Sequence, residues 1–166
     1  DTGFEPGDIV YQYPQANMII GDFLTANGNI EYDQIQVLEG WVNTLEAPSL
    51  YINYSTATFD YHIPVQEVCF TGFISGHEIN FGLNGQIGLF ESLLDTAIQN
   101  TFADFEITVT PIDPNNESIV NVCITGLIRE FTIGGIEFLL DDVCASNPIC
   151  DIRELEVGQY ACEDNT

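Results

Sequence analysis

Short apolar runs alternate with polar residues along nearly the whole chain, and turn signals separate them. Residues 7–13, 17–24, 29–42, 49–54, 58–63, 66–74, 78–83, 103–112, 118–126, 127–133 and 135–143 each read as a strand. They are short, rich in Ile, Val, Phe, Tyr and Thr, and keep the two-residue period of a sheet with one covered face. Pro-Gly-Asp at 6, Asn-Gly at 27 and 84, Asp-Pro-Asn-Asn at 113 and Gly-Gly at 134 supply the turns. A spacing of about 8–14 residues between such runs predicts an all-β antiparallel β-sandwich. One segment departs from this pattern. GLFESLLDTAIQNTF, residues 88–102, places Leu89, Leu93 and Ile98 on a partial helical face and predicts one short helix in a connection.

A length of 166 residues allows one domain with a short addition. The expected division is a sandwich over residues 1–146 and a tail, or the start of a following module, over 147–166. ASNP stops the last strand, and CDIRELEVGQYACEDNT reads like a new opening strand. No run approaches the roughly 18 apolar residues of a membrane span. The chain opens without a basic, apolar leader, which fits a mature secreted chain or a module cut from a longer one.

Charge narrows the function classes. Two arginines, Arg129 and Arg153, face 26 acids, lysine is absent, and the formal net charge is -24. That balance excludes nucleic acid, whose phosphates need Lys and Arg, and disfavours anionic membrane surfaces. Acidity alone does not demand bound cations. Spread over the roughly 8,000 Å² that a chain of this mass exposes, the net charges stand about 18 Å apart. The screening length at physiological salt is only about 8 Å. The plainer reading is a solubilising acidic coat and the sharper one a coat suited to seawater, brine or calcium-rich surroundings; only local gatherings of acids point to a metal.

Cysteines stand at 69, 123, 144, 150 and 162. None has C-x-x-C spacing, and the only histidines are His62 and His77, so a zinc site is not indicated. Disulfides in an oxidising compartment or buried free thiols remain. Cys69 in EVCFTGF and Cys123 in VNVCITG lie in core strands that can face each other. Cys150 and Cys162 can close the tail, which leaves Cys144 odd. Enzyme motifs are missing: there is no H-E-x-x-H, no G-x-S-x-G and no phosphate loop. With 26 acids any carboxylate pair is available for glycoside hydrolysis, so no pair is singled out. His77, beside Glu78 in SGHE, suits a loop metal or a hydrogen bond, although a loop histidine is more often neither. Among the aromatic residues, Trp41 and Tyr32 are the first candidates for a flat platform under a sugar ring, against the plainer reading that such rings fill the core. Asn53 and Asn116 head N-x-S sequons.

TGFEPGDIV at the start and GGIEFLLDDV near the end resemble the opening and closing strands of galactose-binding-like jelly rolls. That group includes many carbohydrate-binding modules, here of the kind found in large secreted bacterial surface proteins. The resemblance rests on Phe4 and Glu5, on the stretch from Phe138 to Val143, and on the middle segments EVCFTGFISGHEINFGLNG and VCITGLIREFTIGG. It departs where Ile136 follows the glycine pair, a position at which related modules carry a polar residue. The resemblance implies a jelly roll whose first and last strands run side by side, with a structural calcium near them held by Glu5 and by Asp141 or Asp142. Asp8 and Glu137 are added as neighbours. A hard cation taking six to eight oxygens suits such a group. The function this implies is a non-catalytic extracellular or cell-surface module of an adhesin or polysaccharide-targeting protein. It would bind a glycan or surface ligand and adjoin neighbouring modules. The alternative is a structural subunit that self-associates in a fibre or surface layer.

Overall fold

The computed structural model describes residues 5–12, 15–38, 49–113 and 116–148. Among them lie eleven strands and one helix. In chain order these are β1 (Ile9–Gln12), β2 (Ala16–Leu24), β3 (Ile30–Glu31), β4 (Gln34–Leu38), β5 (Ser49–Asn53), β6 (Ser55–Ile74), β7 (Ile79–Leu83), β8 (Gln86–Phe90), α1 (Thr96–Thr101), β9 (Glu106–Asp113), β10 (Asn116–Gly135) and β11 (Phe138–Pro148). All pairings are antiparallel. The expected all-β sandwich is the fold.

Two strands of 20 residues, β6 and β10, build it. They pair from Ile119↔Phe73 at one end to Gly135↔Ser55 at the other, and the register slips between Thr125 and Glu130. Beyond the slip, β2 adds to the first part of β6 while β7 and β8 extend β10. On the other side of it, β11, β5 and β4 extend the second part of β6, and β9 adds to β10. Strand side chains alternate faces, so a one-residue slip exchanges the inner and outer sets. Burial follows: Ala57, Phe59 and Tyr61 are buried before the bend in β6, Val68 and Phe70 after it. In β10 the buried set changes from Val120, Val122 and Ile124 to Phe131 and Ile133. The slip lets both halves of each strand face one shared core.

The sequence pattern divided each of these strands in two, at Pro64 and at Gly126. Both residues mark bends, not ends. Proline has no N–H to give a ladder, and at the slip none is needed. Gly126 has φ +155, and a Cβ there would meet the Phe105 ring at 2.6 Å. The backbone groups freed by the bend are taken up by Asn84. Its Oδ1 accepts from the N–H of Arg129 at 2.7 Å and of Glu130 at 3.2 Å, and its Nδ2 donates to the Leu127 carbonyl at 2.8 Å. Further along, the glycine pair has a packing reason. A Cβ on Gly134 would lie 2.8 Å from Thr56 Cα, so β6 and β10 approach too closely for any side chain.

The one short helix expected within 88–102 is present, and it starts late because Asn84 and Gly85, both at positive φ, first turn the chain into β8. Helix α1 begins only after Asp95, whose carboxylate accepts from Ala97 N–H at 2.8 Å. The run 29–42 is broken at Tyr32–Asp33 into β3 and β4, and its end lies outside the described residues. Strands β1 and β11 are not neighbours: β1 pairs with β2, and β11 runs between β5 and β6.

Tyr61 has a measurable consequence. It is buried, and its phenol is pushed well above the ordinary tyrosine value, first by burial and then by the nearby Cys144. A pKa raised on folding adds stability that is complete at pH below the unfolded value of about 10 and is lost as pH rises beyond it. The thermal midpoint should fall steeply above about pH 10, and Tyr61→Phe should flatten that fall. An unchanged alkaline slope in the variant would assign the loss to other groups.

Candidate functional site

Three loops meet at one end of the sandwich around a cleft of about 540 Å³. The turn after β2 brings Ala26, the β6–β7 loop brings His77 and Glu78, and the end of β8 with the link to α1 brings Leu89, Phe90, Glu91 and Asp95. A recess of about 250 Å³ adjoins it and shares His77 and Glu91. The walls are tied down. Glu78 accepts from Ala26 N–H at 3.1 Å, which holds the β2 turn against the β6–β7 loop. Ser75 donates from Oγ to Glu137 at 2.8 Å. Asn80, only 1% exposed, both donates to and accepts from the Leu24 backbone at 2.8 Å, acting as a rung between β7 and the end of β2. Asp95 caps α1.

Among the described residues, three carboxylates and one imidazole line this cleft, with Leu89 and the largely buried Phe90 as an apolar wall, and no Lys or Arg does. Carboxylates accept hydrogen bonds, so the cleft suits a ligand rich in hydroxyl or ammonium donors and repels phosphates and carboxylates. The sequence reading named His77 with Glu78 but missed Glu91 and Asp95. Only the β7–β8 hairpin brings them together.

The carboxylates proposed as calcium ligands sit before β1, in the turn between β10 and β11, and on β11 itself. Glu5 and Asp8 close an exposed turn on each other, Glu5 N–H to Asp8 Oδ2 at 2.9 Å and Asp8 N–H to the Glu5 carbonyl at 3.0 Å. They lie near half-buried Tyr32, whose phenol is raised by burial and then by Asp8, Glu5 and Asp33. Glu137 is held by Ser75, and its N–H donates to Asn53 Oδ1 at 3.1 Å. The same Asn53 amide donates to Asp33 at 2.7 Å, so this sequon asparagine is a structural link. Among the described residues, no three His, Cys, Asp or Glu side chains gather to hold a metal.

Asp141 and Asp142 form a β-bulge. The register of β11 on β6 passes from Asp141↔Thr71 to Cys144↔Cys69, three steps against two. Asp142, exposed, takes the left-handed conformation at φ +50, which Asp tolerates better than most residues. Asp141 is buried, accepting from Asp142 N–H at 2.9 Å and from Ser49 Oγ at 3.4 Å.

Cys69 and Cys123 form a disulfide across facing positions of β6 and β10, with Cα atoms 4.1 Å apart. Cys144 is a free, exposed thiol. Trp41, Cys150 and Cys162 lie outside the described residues, as does most of the 147–166 tail. Tyr51, Phe59 and Tyr61 are buried, as the core reading of the aromatic residues expected. No described helix is long and apolar enough to cross a membrane. Comparison with protein families, curated proteins and solved structures finds no match to this chain.

Proposed function

We propose that the chain is a non-catalytic extracellular module that binds a neutral, hydroxyl-rich ligand such as a cell-surface or matrix glycan, as part of an adhesin or polysaccharide-targeting protein. The observation that carries this reading is the loop cleft, where three carboxylates and His77 stand beside an apolar wall on a braced sheet end. Hydroxyls donate to the carboxylates while the apolar face of a sugar ring packs on Leu89 and Phe90. A disulfide supports an oxidising compartment, and the motif resemblance at both ends of the sandwich points to the same class. The test is titration of isotope-labelled protein with a panel of neutral oligosaccharides. Amide signals of residues 75–78 and 91–95 should move, and Glu91→Gln should weaken the effect about tenfold, the worth of one hydrogen bond to a charged group. If no sugar moves them at millimolar concentration, or Glu91→Gln changes nothing, the cleft is not the binding site.

Calcium enters this proposal as a loosely held counterion of the acidic surface, a reading supported by the absence of any gathering of three His, Cys, Asp or Glu side chains among the described residues. At constant ionic strength, exchange of EDTA for calcium should raise the thermal midpoint by no more than magnesium does. A caged ion at 100 times its dissociation constant would instead add about 2.7 kcal/mol, or about 8 °C in a chain of this size. A calcium-specific rise of that order, lost in Glu5→Gln or Asp141→Asn, would restore a gathered site.

Exposed apolar residues on the two outermost strands favour a second reading, self-association in a fibre or surface layer. Val37 on β4 is 66% exposed and Ile87 on β8 is 51% exposed, and open sheet edges pair readily. Light scattering separates the two, since a monomer across concentrations removes the second reading.

A further inference from the structure

The three described cysteines stand in one lateral row. Cys144 of β11 faces Cys69 of β6, and Cys69 faces Cys123 of β10. Facing residues on antiparallel neighbours lie about 4.5–5.5 Å apart at Cα and point to the same side of the sheet. Cys69 and Cys123 are already joined, and Cys144 approaches from the opposite flank with its thiol exposed. The bulge at Asp142 creates this arrangement: in a regular ladder continued from Asp141↔Thr71, Val143 would stand opposite Cys69.

We infer that this row is an internal thiol–disulfide exchange site. Disulfide exchange requires a thiolate to attack one sulfur along the line of the bond that breaks, and a row across three strands sets attacking, central and leaving sulfurs in that order. The Cys144 thiolate forms a bond to Cys69 Sγ. The Cys69–Cys123 bond breaks, its electron pair stays on Cys123, and Cys123 takes up the proton that Cys144 lost. No oxidant or reductant is consumed. Cys69 is bonded in both states, and the free thiol passes between half-buried Cys123 and exposed Cys144. The link thereby shifts from β6–β10 to β6–β11. The titratable groups on the flanking rows are Glu67 of β6, Glu106 of β9 and Asp141 of β11, with Tyr61 of β6 also close to Cys144. No Lys, Arg or His stands in these rows.

The test follows the free thiol in the intact, non-reduced chain. Samples held at acidic and at mildly alkaline pH are trapped with N-ethylmaleimide in acidic denaturant and mapped by peptide mass spectrometry. Label should appear on both Cys144 and Cys123 and never on Cys69. Its redistribution should be faster in the mildly alkaline sample than in the acidic one, because the thiolate attacks. Cys123→Ser, refolded in a glutathione redox buffer that supplies the oxidant, should form a Cys69–Cys144 bond. Label on Cys144 alone in the unaltered chain, or free thiols at both Cys69 and Cys144 in Cys123→Ser, would overturn the inference.

Discussion

Phe131→Ala is expected to lower the unfolding free energy by about 4 kcal/mol and the thermal midpoint by about 12 °C. Phe131 is fully buried just past the bend of β10, where the two halves of the sandwich share their core. Its ring contacts the Phe70 ring at 5.1 Å between centroids, and the Phe59 and Phe81 rings at 5.9 Å each. Phe59 and Phe81 come from the half built on β2 and β7, and Phe70 from the other. Removing the ring therefore opens a cavity that neither half can close by moving alone, which puts the cost toward the upper part of the usual range. Leu127, 49% exposed on the same strand, is the control, and its replacement by alanine should cost about 0.5 kcal/mol or less. Equal losses in the two variants, measured by chemical denaturation, would mean that the halves do not depend on a common core.

The strands were legible because a covered sheet leaves a period of two, and nearly every apolar run became a strand. What the pattern could not show was continuity. Pro64 and Gly126 carry the same local signal whether a strand ends or bends, and only pairing with a partner that slips at the same level decides. The one short helix is where 88–102 allowed it, at 96–101, but its start was hidden for a related reason. Leu93 and Ile98 are buried as the periodicity implied, but the Asn84–Gly85 turn commits Gln86–Phe90 to a hairpin with β7, whose rungs outweigh a weak helical face. The acids were less legible still. One of Asp141 and Asp142 was expected to be a metal ligand; that the two form a bulge becomes visible only when the register of β11 on β6 is counted. Glu78, Glu91 and Asp95 share a cleft because the β7–β8 hairpin returns the chain to the level at which β7 began. In a chain with 26 acids, residue type gives no hint of which ones meet.

Loss of Cys69 should reveal how the cysteine row works. Its disulfide closes a span of 54 residues, and the loop-entropy argument assigns such a link about 4 kcal/mol, mostly by restricting the unfolded chain. The folded sheet does not depend on it, because the rungs from Ile119↔Phe73 to Thr125↔Glu67 hold that part of β6 and β10 together. Cys69→Ser should thus keep its circular dichroism spectrum while its midpoint drops by about 12 °C. Cys123→Ser removes the same bond but leaves Cys144 opposite Cys69. The replacement link closes a somewhat longer loop, a difference worth only a few tenths of a kcal/mol. Cys123→Ser should therefore stay close to the unaltered chain while Cys69→Ser does not. That asymmetry needs all three positions in register, and equal loss in the two variants would show that Cys144 takes no part in holding β6.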